Sequence, residues 1–472
     1  MTATITGPDA SAVPTAPTGL PLPPKNPLPY LRRLTATRRF DTGFELLRDS
    51  GGSVTRNVLG PRWIMPPLVI VSSPKGAHDV LARTDAFVER AATPIALEIR
   101  RLMGDNLLVV PHHEWLPRRR ELQPIFTKHH VPRFAGRMAE VAELLADRWV
   151  LGAAVDLDAE CRALTLRALG HSILGIDLGH RPDALGTALR TSIKWAADRG
   201  SRPINPPHWW PTRGQRRARA AGAALHTLAA QMLHVCRADP ARDAPLVRTL
   251  LQTIDPQTGQ PLSDRAICDE LVLFLLAGHD TTSTALTYAL WALGHRPDLQ
   301  QRVAAEADAL GGRRLTHEDV PALRYTVQVL HEALRLCPPA PAVGRMVMAD
   351  IEVDGYRLPA GTVALVAIYA LHRDPALWED PLRFDPDRFS PERCKDRDRW
   401  QYLPFGGGPR ACIGDHFAML EATLALATIL RRVKIDSLSG DFPTITPLTM
   451  IAAAPVRANV GPHADRLNRR IR

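Results

Sequence analysis

Cysteine is scarce in this chain: six residues in 472. That density is far too low for a disulfide scaffold, so the fold must rest on its own core. A few scattered thiols fit an intracellular protein, where any single one can act as ligand or nucleophile. Long apolar runs are missing too. The longest, Leu271 to Gly278 and Thr362 to Leu371, are short enough to be core, and a membrane helix needs roughly 20 apolar residues. The N-terminus, MTATITGPDASAVPTAPTGLPLPP, has no basic start and no continuous apolar stretch, which excludes a signal peptide. Acidic residues are outnumbered, 49 against 59 Lys and Arg, giving a formal net charge of +10. This excess permits nucleic acid, an acidic membrane or an acidic protein as partner and selects none of them. Apolar residues make up 45% of the chain, enough for a large core, so a disordered or fibrous protein is excluded.

Length alone suggests about three domains, but there are no internal repeats and no long low-complexity linkers. The expected division is a flexible Pro-rich segment over 1–24, a single domain over 25–460 and a basic tail over 461–472. From Lys25 to about Val110 the text is mixed, with strand-like pieces at Val54 to Leu59 and Leu68 to Val71. From His112 to about Leu310 it is overwhelmingly helical. The clearest break is Arg202 to Gly214, where prolines forbid a continuing helix and Trp209 and Trp210 stand side by side. A basic helix, Gln215 to Cys236, follows. Beyond Pro338, Val347 to Val353 reads as a strand and Ile413 to Arg431 as a helix. Strand-like pieces near both ends can pair in one small sheet. The expected fold class is mainly α with a small β region, an α+β unit.

The most informative stretch is Pro404-Phe405-Gly406-Gly407-Gly408-Pro409-Arg410-Ala411-Cys412-Ile413-Gly414. Its glycines let the backbone fold tightly and approach something flat. Cys412 lies just before a helix N-terminus, whose N–H groups stabilise a thiolate. A thiolate there is a nucleophile or a soft metal ligand; a buried structural thiol is the plainer alternative.

Phe405, Gly408, Arg410, Cys412 and Gly414 match the F-x-x-G-x-R-x-C-x-G segment, and here the chain resembles the cytochrome P450 family. The resemblance implies that Cys412 is the thiolate ligand of a haem b iron, that Arg410 pairs with a propionate, and that Phe405 packs near the sulfur. It also implies a long central helix crossing over the haem. Glu332 and Arg335 match the family's E-x-x-R on one helix face, 77 residues ahead of Cys412. Arg388, in Phe384-Asp385-Pro386-Asp387-Arg388-Phe389, completes the implied structural cluster. Ala277-Gly278-His279-Asp280-Thr281-Thr282 lies midway along an apolar helix from about Asp264 to Leu293, roughly 45 Å long. An acid and an alcohol there are unfavourable unless used or paired. The resemblance makes Thr281 the hydrogen-bond donor to dioxygen and Asp280 the proton relay; His279 reads as a packing or hydrogen-bonding neighbour, not a ligand. Trp115 and Arg119 match W-x-x-x-R, and Arg345 stands at the family's strand position. All three are thereby assigned to propionates, which several guanidinium donors suit.

Other signals carry less. His112-His113 and His129-His130 lack a second pair at zinc spacing. Arg335 stands where H-E-x-x-H would need its second His. Cys161, Cys236, Cys268, Cys337 and Cys394 read as structural thiols. The resemblance implies a cytoplasmic monooxygenase with a lipophilic substrate: fatty acid, terpenoid or sterol-like. With no reductase fused to the chain, a ferredoxin or flavodoxin-like donor and its reductase would supply electrons. The alternative is a haem-thiolate protein that uses peroxide, isomerises or only binds a ligand. The Arg202–Gly214 region, with its paired tryptophans, is the candidate for peripheral membrane contact.

Overall fold

A computed structural model describes residues 19–462, apart from 62–64, 84–86, 180, 181, 203, 256 and 257. Most of the 1–24 segment and of the 461–472 tail therefore lies outside the described residues.

The helices that build the interior are α1 (Pro94–Met103), α2 (His112–Leu122), α3 (Ala135–Arg148), α4 (Leu157–Leu169), α5 (Pro182–Gly200), α6 (Arg213–Ala238), α7 (Asp264–Gly294), α8 (Arg324–Leu336) and α9 (Asp415–Arg432). Each starts where the local chemistry allows. Thr93, Thr212 and Ser263 accept from N–H groups in the first turns of α1, α6 and α7, satisfying donors that have no partner inside the helix. α7 spans 31 residues and is apolar nearly all round, as befits a helix packed on every side. It packs against α4, α6, α8 and α9.

One five-stranded sheet closes the other end. Its strands are β1 (Val54–Asn57), β2 (Leu68–Val71), β3 (Val88–Glu89), β4 (Val343–Val347) and β5 (Val363–Val366), in the order β1-β2-β5-β4-β3. β2 and β5 run parallel, with Leu68 opposite Val363. β4 pairs antiparallel with β5, Val343 opposite Val366, and β3 pairs with β4, Val88 opposite Val347. The pieces from the two ends of the chain thus share one sheet.

The expected strand Val347 to Val353 is not one element. β4 ends at Val347, and a separate strand, Ile351–Val353, pairs with Tyr356–Leu358. Asp350 causes the break: its carboxylate accepts from the Ala360 N–H and the Arg357 Nε, pulling the backbone into a turn. The other boundaries move by a few residues. The helix expected from Ile413 starts at Asp415, after Gly414 at its N-cap.

Candidate haem site

The Cys412 segment is a tight loop leading into α9. Gly408 sits at φ +70°, and a Cβ there would come within 1.8 Å of the Leu81 carbonyl oxygen. Glycine is required on both counts. The Cys412 N–H donates to the Phe405 carbonyl at 2.9 Å, and Ala411 to Gly408 at 3.0 Å. From outside, Arg119 on α2 donates Nη1 to the Ala411 carbonyl at 2.9 Å and Nε to Gln123 at 2.6 Å. The Cys412 side chain is open, and it opens inward, to a cavity of about 460 Å³. Burial in the protein pushes the thiol pKa up; the Gly414 N–H and the Arg119 and Arg90 guanidiniums pull it down. A bound metal cation would favour the thiolate form.

α7 lines the same cavity through Ala277, Gly278, Thr281 and Thr282. The Thr281 hydroxyl donates to the Ala277 carbonyl at 2.6 Å. A Cβ on Gly278 would meet Leu169 at 2.7 Å, so α4 and α7 touch closely here. Asp280 is not in the cavity wall. Its carboxylate is buried behind Thr281, with both oxygens unpartnered, 3.7 Å from His279 Nε2. Successive helix residues point about 100° apart, so acid and alcohol cannot share one face. His279 is fully buried, and burial holds its pKa down at about 4.

Three guanidiniums line the same cavity: Arg90, Arg345 and Arg410. Arg410 donates to the Val110 carbonyl at 3.2 Å and approaches Glu89 at 3.3 Å. Arg345 lies in β4 opposite Ala364 and donates to its neighbouring Gly344 carbonyl. Arg90 donates to the Arg410 carbonyl at 3.2 Å. Burial and the like charges of Arg345 and Arg410 push the Arg90 pKa well down, against the pull of Glu89. A guanidinium stays protonated regardless, so this wall of the cavity is cationic. Arg90 has no motif around it, and nothing in the sequence marks it as part of the site. Trp115 lies beneath this cluster, not in the cavity wall, with Arg410 Cζ 4.5 Å from its ring centroid. Phe405 lines the cavity beside Cys412.

Behind the site, Glu332 and Arg335 are fully buried and joined by two hydrogen bonds, and Arg388 Nε stands 3.4 Å from Glu332. Arg335 also donates to the His372 and Pro381 carbonyls. The cluster ties α8 to the segment that leads to the cysteine loop. It does not touch the cavity. Among the described residues no group of three or more His, Cys, Asp or Glu gathers that could hold a metal ion.

A sequence model of the family described as Cytochrome P450 matches residues 21–461. The chain belongs to the cytochrome P450 family. It is 34% identical over 451 residues to cyclooctatin synthase of Streptomyces melanosporofaciens, covering 94% of each chain. It is 35% identical over 346 residues to cyclooctat-9-en-7-ol 5-monooxygenase of the same organism, covering 72% of this chain and 75% of that one. A crystal structure of a mutant cytochrome P450DA heme domain superposes with a TM-score of 0.80 at 27% identity, over 95% of this chain and 98% of the other. The protein is a haem-thiolate P450 monooxygenase, an oxidoreductase that incorporates one oxygen atom. The fold is the α+β one of that family. The residues present fit the cofactor. An inward-facing thiol and three guanidiniums line one mostly apolar cavity, the donor set that an iron with two carboxylate arms requires. No helix among the described residues is long and apolar enough to cross a membrane.

Proposed function

We propose that this P450 hydroxylates a lipophilic terpenoid, fatty-acid or sterol-like molecule, with terpenoids first. Support comes from the apolar cavity and from two relatives whose names place them on cyclooctatin and cyclooctat-9-en-7-ol. The observation that carries the reading is that Cys412 and Thr281 line one and the same apolar cavity. The cofactor is haem b, which supplies one-electron and oxygen chemistry when bound. Cys412 Sγ is its iron ligand, and Arg90, Arg345 and Arg410 hold its propionates. Trp115 and Arg119 act one layer out: Trp115 supports Arg410, and Arg119 fixes the Ala411 carbonyl. The Glu332, Arg335 and Arg388 cluster holds the fold. Thr281 Oγ1 holds a proton at the cavity wall, where dioxygen enters; Asp280 feeds protons to it from behind. A peroxide-using enzyme has no need of such a supply.

Electrons come from a separate ferredoxin or flavodoxin-like carrier with its reductase. Residues 25–460 act as one domain, with 1–24 and 461–472 as its flanks. The protein works in the cytoplasm, with the Arg202–Gly214 connection against a membrane surface. Ile204, Trp209 and Trp210 are 77%, 74% and 54% exposed. Residues 199–238 include seven arginines and no acid. Gly200 and Ser201, beside this connection, line the cavity, so a membrane-dissolved substrate has a short path inward.

The test is a spectral titration of the haem-loaded protein with diterpene alcohols, fatty acids and sterols, followed by turnover. Water displacement from the iron and hydroxylated product with the terpenoids, together with diversion of electrons to hydrogen peroxide in Thr281→Ala, is the expected result. No response to any terpenoid would remove the substrate class. Unchanged coupling in Thr281→Ala would remove that residue from the mechanism.

A further inference from the structure

Buried polar groups nearly always have a partner, and a cluster of them without one calls for ordered water. Such a cluster lies behind the cavity, between α4, α5 and α7. His279 is fully buried and neither ring nitrogen makes a hydrogen bond of good geometry; Asp280 is 1% exposed and neither carboxylate oxygen has a partner. From α5, half-buried Arg190 reaches the same place, and its Nε is also unpartnered.

Gly186 of α5 makes the room. It is buried, and a Cβ built on it would lie 3.7 Å from both Arg190 Nη2 and His279 Nε2, with nothing nearer. A methyl there would make only ordinary contacts, so the glycine leaves space for a small group against these two nitrogens. The third partner is Asp280 Oδ1, 3.7 Å from Nε2. That separation is too long for a direct hydrogen bond, so each group is left to a third partner that both can share from one side. On the α4 side, Thr165 donates to the His279 carbonyl at 3.1 Å, which fixes the backbone of α7 at this point.

We infer that the notch over Gly186 holds an ordered water shared by His279 Nε2, Asp280 Oδ1 and Arg190, and that His279 positions this water on the route by which protons reach Asp280. The inference rests on the reading of Asp280 as the proton source. The water gives a proton to the Asp280 carboxylate and is reprotonated by the next water toward the solvent side of Arg190. One O–H bond breaks and one forms at each hop, and no electrons move. The imidazole stays neutral throughout, as its low pKa requires. Burial lowers that pKa, the Arg162 and Arg190 charges lower it further, and Asp280 and the Arg162 carbonyl oppose them. A neutral ring accepts a hydrogen bond at one nitrogen without repelling the incoming proton. His279 is thus a positioning residue.

The experiment is a high-resolution crystal structure of the haem-loaded protein, paired with coupling measurements on three variants. Expected is a water within hydrogen-bond distance of His279 Nε2 in the wild type, absent in Gly186→Ala and displaced in His279→Leu. Both variants should lose about tenfold in product per electron pair and show a larger solvent deuterium isotope effect, and His279→Gln should recover most of the loss. If His279→Leu does not fold, Gly186→Ala decides alone, because its methyl meets only ordinary contacts. No water in the notch, or wild-type coupling in both Gly186→Ala and His279→Leu, overturns the inference. If Asp280→Asn uncouples while those two do not, only the His279 route fails. If Asp280→Asn also couples normally, the reading of Asp280 fails with it.

Discussion

Arg335 grips Glu332 with two parallel hydrogen bonds, Nε to Oε2 at 2.7 Å and Nη2 to Oε1 at 2.8 Å, and neither side chain meets solvent. A pair this deep is not an ordinary surface ion pair. Desolvating both charges is unfavourable, and only the full set of partners compensates. Arg335 Cζ also lies 5.0 Å from the Trp378 ring centroid, and the Asp385 N–H donates to Glu332.

Glu332→Ala should therefore destabilise the fold by about 3–5 kcal/mol, because it leaves Arg335 charged and buried. Replacing both by leucine should lose less than the sum of the two single changes. Urea unfolding of Glu332→Ala, Glu332→Leu, Arg335→Leu and the double leucine variant measures this. Additive losses would show that the pair is not coupled.

Arg90→Ala should weaken haem retention without unfolding the protein. Losing one charged hydrogen bond to a propionate is worth about 1.5–3 kcal/mol, or roughly ten- to a hundredfold faster haem transfer to a competing apoprotein. Wild-type retention would mean that Arg90 serves only to hold the Arg410 carbonyl.

Glu270 on α7 makes the stability depend on pH. Its carboxylate accepts from the Leu107 N–H and from Arg118, yet burial still raises its pKa from 4.5 to about 7. The folded state then binds the proton more tightly than the unfolded chain. Ionising Glu270 disfavours the fold progressively as pH rises from about 4.5 to 7, by an amount approaching ~3 kcal/mol. Between pH 5 and pH 8 the wild type should lose more stability than Glu270→Gln does. Parallel pH profiles for the two proteins would contradict the assignment.

The Arg202–Gly214 connection should bind vesicles that contain anionic lipid, more weakly as salt increases. Trp209→Ser/Trp210→Ser should reduce co-sedimentation severalfold while leaving the Soret spectrum unchanged. Equal sedimentation of variant and wild type would place the tryptophans off the membrane.

The sequence was most legible where backbone and chemistry coincide over a few adjacent residues. Gly408 has to be glycine, Cys412 has to precede a helix, and both demands are visible in one short stretch. The long helix was legible for a similar reason: apolar residues from Leu271 onward and a capping Ser263 are local signals. What stayed hidden depends on direction. Nothing local says that Thr281 faces the cavity while Asp280 turns toward α4 and α5. Arg90 gains its meaning only when β3 pairs with β4 and brings it beside Arg345. The break at Asp350 arises from contacts to Arg357 and Ala360 across a turn, which strand periodicity cannot register.

The central claim is that Cys412 binds the haem iron through its thiolate. The direct measurement is the absorption spectrum of the reduced, haem-loaded protein under carbon monoxide, for the wild type and for Cys412→His. The wild type should show the strongly red-shifted Soret band of a thiolate ligand, and the variant a band without that shift. A wild-type band lacking the red shift, or a shifted band that survives in Cys412→His, would contradict it.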